Sequence, residues 1–144
     1  MDSWNHEPKL SEYARYGARN CSMIIQHQNL GGSDAIEKIV VDNRVPLELC
    51  PSSNVIGQTV VGYSEHHFKE WGPLSRDHPI AICTDDMGVF KTSLSKEYSL
   101  IARHFSLSRD QVVRMAEKSV DLIFSDDELK TLLRNLIVTR TDIQ

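Results

Sequence analysis

The chain has 144 residues, the size of one domain with a real core and too short for a complete eight-stranded β/α barrel, which needs roughly 250 residues. A formal charge of −4 without a basic run argues against nucleic acid or an anionic membrane as the main partner. No stretch reaches the ~20 apolar residues of a membrane span, and Met1 to Glu7 lacks the basic start and apolar core of a signal peptide, so the chain reads as cytosolic. Three cysteines, Cys21, Cys50 and Cys83, with no CxxC pair, point to reduced thiols rather than a disulfide frame or a zinc knuckle.

Residues 1–29 carry little periodicity and form the least determined segment, with a weak helix expected around Leu10 to Ala18 and a short strand at Met23 to Ile25. Gly31-Gly32-Ser33-Asp34 is a break followed by a cap, and Ile36, Ile39 and Val40 then recur at helical spacing, so a helix is predicted to about Asn43. The apolar run Pro46-Leu47-Glu48-Leu49-Cys50 follows as a strand. Pro51 to Tyr63, rich in Pro, Ser, Asn and Gly, reads as an irregular loop over the strand end.

Glu65 to Trp71 is expected to be a short helix that packs Phe68 and Trp71 inward and leaves His66, His67 and Lys69 largely solvated. Adjacent helical residues point about 100° apart, so His66 and His67 are not expected to chelate one ion. A second strand, Ile80 to Cys83, ends in Thr84-Asp85-Asp86. The order α-β-α-β argues for parallel strands joined by right-handed crossovers.

Three helices close the chain. Ser95 is the expected cap of the first, which runs to about Phe105 with Tyr98, Ile101 and Phe105 on one face. Ser108-Arg109-Asp110-Gln111 and Ser125-Asp126-Asp127-Glu128 both have capping-box form. The apolar faces that follow, Val112 to Phe124 and Leu129 to Leu136, are read as core stripes over the sheet.

Two apolar runs that stop abruptly in polar residues are the pattern of buried parallel strands emerging at their carboxyl ends, the rim that carries chemistry in β/α barrels. Asp85 and Asp86 diverge there, so one can face a metal and the other a ligand; the plainer alternative for Thr-Asp-Asp is a helix cap. Cys50 and Cys83 end apolar runs and lack a paired base, which disfavours nucleophilic catalysis.

The run Pro46 to Asn54, with His66-His67-Phe68, His78-Pro79, Ile82 to Asp86 and Phe90 to Tyr98, resembles the last third of the adenosine deaminase family. The likeness covers roughly Gly31 to Arg134, within a partial domain at 30–137 followed by a tail at 138–144. It implies an α/β fold, the C-terminal fragment of a (β/α)8 TIM-type barrel comprising about the last two βα units and the closing helices. It also implies a zinc-dependent aminohydrolase of adenosine- or AMP-type purines, above all N6-substituted AMP, with Asp85 as the zinc's carboxylate ligand and Asp86 hydrogen-bonding the purine at N7 in a desolvated pocket.

The family's His-x-His, the His before its catalytic Glu, and that Glu have no counterpart here and are expected upstream of this chain's start. His27 stands near the place of the family's catalytic base, the alternative being a solvated histidine. The expected partner is a purine nucleoside or nucleoside monophosphate, with self-association of the fragment. A non-catalytic fragment or interaction module is the competing reading. A helix-turn-helix over Ser108 to Leu136 is disfavoured by too few basic residues.

Overall fold

In a computed structural model, residues 19–20, 34–75 and 77–141 are described. The expected helix at Leu10 to Ala18, the strand at Met23 to Ile25 and His27 lie outside them. Strand β1 (Arg19–Asn20) is followed by α1 (Asp34–Asp42), β2 (Leu47–Leu49), α2 (Pro51–Ile56), a 3-10 turn (Tyr63–Glu65) and α3 (Phe68–Leu74). Then come β3 (Ile80–Ile82), α4 (Met87–Phe90), α5 (Leu94–His104), α6 (Arg109–Ser119), a second 3-10 turn (Val120–Leu122) and α7 (Asp127–Thr141).

The three strands lie side by side in the order β1-β2-β3, all parallel, with Leu47 opposite Ile80 and Leu49 opposite Ile82. In-register pairing puts these four apolar side chains on one face, as strand alternation requires. That face is sealed: Leu47 and Leu49 are wholly inaccessible, and Val40, Phe68, Trp71, Ile80, Ile82, Ile101 and Met115 complete one core cluster. The opposite face, with Glu48, Ala81 and Cys83, is only half-buried. Helices therefore cover one side of this short parallel sheet, the arrangement of one sector of a β/α barrel.

Helix α3 packs against the turn after α5. Phe68 and Phe105 meet at ring centroids 5.0 Å apart. The Phe68 ring lies over Gly72, where an added Cβ would come within 2.5 Å of it, so only glycine allows that approach.

Several local expectations needed correction. His66 and His67 are buried rather than solvated, because His66 joins a hydrogen-bond network described below; Lys69 is exposed as expected, paired with Glu65 at 3.0 Å. The segment after β2 opens with helix α2 rather than irregular loop. Ser93, not Ser95, caps α5, its hydroxyl accepting from the Lys96 amide. Asp126, not Ser125, caps α7 by accepting from the Leu129 amide at 2.9 Å. The Ser108 capping box forms with both of its bonds. The apolar face of α7 is no core stripe: Leu129, Leu132, Leu136 and Val138 are all exposed, Leu132 by 52%.

Candidate functional site at the strand ends

The strand ends meet through two contacts. The Cys83 amide donates to the Leu49 carbonyl at 2.9 Å and continues the ladder one residue past β3. Asp85 then takes a left-handed backbone, φ 48°, which turns the chain out of the sheet. A non-glycine residue in that region is uncommon, and Asp is among the types that tolerate it. Beside it, β2 runs through Cys50 into α2, whose first residue, Pro51, has no N–H to leave unsatisfied. Two residues on, the Ser53 hydroxyl donates to Asp85 Oδ2 at 2.5 Å, a charge-assisted bond that ties the rim of β2 to the rim of β3.

Asp86 is exposed and extended, and its Oδ1 accepts the Val89 amide at 2.8 Å, capping the short helix α4. The two carboxylates have different partners, the Ser53 hydroxyl for Asp85 and the Val89 amide for Asp86. The desolvated pocket expected around Asp86 is not formed by the described residues, since its side chain stands at the surface doing the work of a cap.

Glu97 stands behind this rim. Its side chain is fully buried, with Oε2 accepting the Ser52 amide at 2.8 Å and Oε1 accepting the Thr92 hydroxyl. One carboxylate on α5 thus satisfies an orphan N–H in the first turn of α2 and fixes the loop after α4. His66 plays the matching part on the other side. Its Nδ1 accepts the Phe68 amide at 3.1 Å, so Nε2 carries the proton and donates to Asn54 Oδ1 at 2.9 Å. Asn54 Nδ2 in turn donates to Thr59 at 3.1 Å. Ser53, Glu97 and this network had no assigned role in the sequence; the spacing between partners, up to 45 residues, leaves no local signal to read.

Electrostatics follow burial. Desolvation, reinforced by Asp85, raises the Glu48 carboxyl above its ordinary range. Burial, with the neighbouring Cys83, Asp85 and Glu48, pushes the Cys50 thiol up to about 12, and burial with Glu48 does the same to Cys83. Both stay protonated at neutral pH and are unfit as nucleophiles. Burial lowers His66 to about 3, with His67 beside it contributing, and lowers His67 to about 4.

These residues do not by themselves fit a catalytic zinc. Among the described residues no group of three or more His, Cys, Asp or Glu is placed to hold a metal ion. Both ring nitrogens of His66 are engaged, and Asp85 already accepts from Ser53 on one oxygen.

Comparison with known proteins settles the lineage. The Adenosine deaminase family model matches residues 30–140. The chain belongs to the adenosine deaminase family. Within that family it is 46% identical over 104 residues to the N6-Methyl-AMP deaminase of Homo sapiens and 42% identical over 107 residues to that of Danio rerio. These matches cover 72% and 74% of this chain but only 29% and 30% of the two relatives, so the chain spans less than a third of their length.

Solved structures agree. The apo N6-methyl-AMP deaminase of Arabidopsis thaliana superposes with a TM-score of 0.71 at 33% identity, covering 78% of this chain and 33% of that one. The Arabidopsis adenosine deaminase-like protein complexed with GMP gives 0.71 at 32% identity, covering 78% of this chain and 32% of that one. The fold is therefore part of an adenosine deaminase-type (β/α)8 barrel, with a coverage that fits its carboxyl-terminal portion.

Proposed function

We propose that the chain supplies one wall of a zinc-dependent aminohydrolase site for N6-substituted AMP-type purines and does not deaminate them by itself. The observation that carries this reading is the pair Asp85-Asp86 at the carboxyl end of β3, with the parallel strand β2 alongside and Ser53 holding Asp85 in place. In this reading Asp85 gives the zinc one carboxylate ligand and Asp86 hydrogen-bonds the purine ring, while the remaining ligands and the general acid come from residues elsewhere. A catalytic zinc normally takes three protein ligands, and one is too few. The substrate class rests on relatives that are named for N6-methyl-AMP. The unpaired thiols Cys50 and Cys83 suit a reducing, cytosolic setting.

The test is to purify the 144-residue chain, add zinc, and follow purine absorbance with adenosine, AMP and N6-methyl-AMP against a metal-free control. No turnover is expected. Zinc-dependent turnover that vanishes in both Asp85→Ala and Asp86→Asn would show a complete site and overturn the inactivity. A second reading, a non-catalytic interaction module, is favoured by the exposed leucines of α7. A stable complex that survives both rim substitutions and is lost on Leu132→Glu supports it.

A further inference from the structure

A cavity of about 520 Å3 opens between α3, the turn after α5, and α6. Its volume lies within the range of small-molecule pockets, roughly 300–1,000 Å3. None of its described lining comes from the β2–α2 or β3–α4 connections, so the inference below does not depend on the deaminase reading.

The floor is apolar. Phe68 and Met115 are buried, Phe105 packs against the core, and the two rings meet at a tilt of 51° with their centroids 5.0 Å apart. Such a floor can take a third ring edge-on or offset, and the Met115 thioether adds a polarisable contact that favours an aromatic face. A saturated body of the same size would gain burial alone.

The polar side chains around this floor are committed, with one exception. Lys69 pairs with Glu65 at 3.0 Å, Gln111 Oε1 accepts the Ser108 amide at 2.8 Å, and the Ser75 hydroxyl donates to the Gly72 carbonyl at 2.6 Å. Lys118 is engaged as well, donating to the Ser75 carbonyl at 3.0 Å. Arg114 lines the same cavity and has no hydrogen-bond or ion-pair partner among the described residues. No described lining residue is acidic, so nothing in the wall competes for its guanidinium. The planar fork of an arginine matches the two oxygens of a carboxylate, and its single charge matches a monoanion.

We propose that this cavity binds a small aromatic monocarboxylate, with the ring laid on Phe68, Phe105 and Met115 and the carboxylate held bidentately by Arg114. Lys69, Gln111, Ser75 and Lys118 keep their present partners and act as walls. The buried rings supply the affinity for the body of the ligand, and Arg114 sets its direction and sign.

The experiment is a titration of the full chain, labelled with 13C in its methionine methyl groups, with phenylacetate. The Met115 signal is identified by its loss in Met115→Leu. A saturable shift of that signal is expected, with affinity weakened about tenfold in Arg114→Gln, the loss typical of one charge-assisted contact. Arg114→Lys, which keeps the charge and removes the fork, should fall between the two. Lys69→Gln should leave the affinity within about twofold, because Glu65 already holds that charge. Phenylacetamide, cyclohexylacetate and acetate, added as competitors, should each displace phenylacetate less well than phenylacetate itself binds. No saturable shift, or an unchanged affinity in Arg114→Gln, overturns the site, and an equal loss in Lys69→Gln overturns the assignment to Arg114. Phenylacetamide competing on equal terms overturns the anion, and cyclohexylacetate or acetate doing so overturns the aromatic body.

Discussion

Glu48 sits in surroundings that disfavour its charge. It sits in the middle of a three-residue strand, on the half-buried side of the sheet, with the Asp85 carboxylate close enough to raise its pKa further. Because the folded chain holds this proton more tightly than the unfolded chain, the two states differ little in strongly acid solution, where both are protonated. As pH rises past the unfolded value, ionisation costs more in the folded state, and the penalty is complete above the folded pKa. Glu48→Gln is therefore expected to raise the melting temperature at pH 7 and to leave it unchanged at about pH 3.5. The gain should stay under about 1 kcal/mol, because the side chain is partly exposed and solvent screens it. Melts of the two proteins at both pH values check this; a variant no more stable at pH 7 would show that Glu48 has a compensating partner.

At the scale of elements, the rim is held by buried polar groups rather than by the helices' own propensities. Glu97→Ala would leave the Ser52 amide and the Thr92 hydroxyl without acceptors, a loss of about 2–3 kcal/mol by the usual cost of orphaned buried donors. Glu97→Gln, which keeps one acceptor, should lose less, and urea titrations of the two variants give the comparison. If alanine is tolerated as well as glutamine, α2 does not depend on this carboxylate.

His66 and His67 set the acid limit. Both are held neutral well below the ordinary histidine range, so the unfolded chain takes up protons as pH falls below about 6.5 while the folded chain refuses them. Stability should drop by roughly 1.4 kcal/mol per pH unit for each histidine in that window. Urea midpoints measured from pH 7 to pH 5 should fall steeply, and less steeply in His67→Gln. A flat profile would mean that neither ring is buried in its neutral form.

The same elements show what the sequence could and could not reveal. The strands and their parallel pairing were legible because apolar alternation and element order are local patterns, and the Ser108 box was legible because all its partners lie within four residues. Helix α2 was not. Its Pro, Ser and Asn composition is that of a loop, and its capping carboxylate arrives from Glu97, far along the chain. The caps of α5 and α7 slipped by one or two residues for a related reason: Ser93 competes with Ser95, and Ser125 with Asp126, and composition alone cannot rank neighbours of equal capping ability. The Ser53 bond to Asp85 was not legible either, since its partners lie 32 residues apart.

For the whole molecule, coverage is one-sided. Helices seal the Leu47 face of the sheet, the Glu48 face is half-buried, and β3 pairs on one side only among the described residues. An unpaired strand edge is a template for another chain. The larger exposure lies on α7 and the turn before it, where Phe124 is 80% exposed and Leu129, Leu132, Leu136 and Val138 follow along the helix. Leu129, Leu132 and Leu136 are spaced three and four residues apart, so they share a stripe that a partner helix can cover. A contiguous apolar stripe of this kind marks an interaction surface or an aggregation liability in a free chain. The isolated 144-residue chain is accordingly expected to self-associate at tens of micromolar in sedimentation. Leu132→Glu with Leu136→Glu should shift it towards monomer with little change in stability, since both side chains are largely exposed and contribute little to the core. If association persists after that pair of changes, the strand edge becomes the seat of contact, and Ile82→Lys should then reduce it at a heavy cost in folding, because Ile82 is buried. A monodisperse monomer at those concentrations would rule out both surfaces as self-association sites.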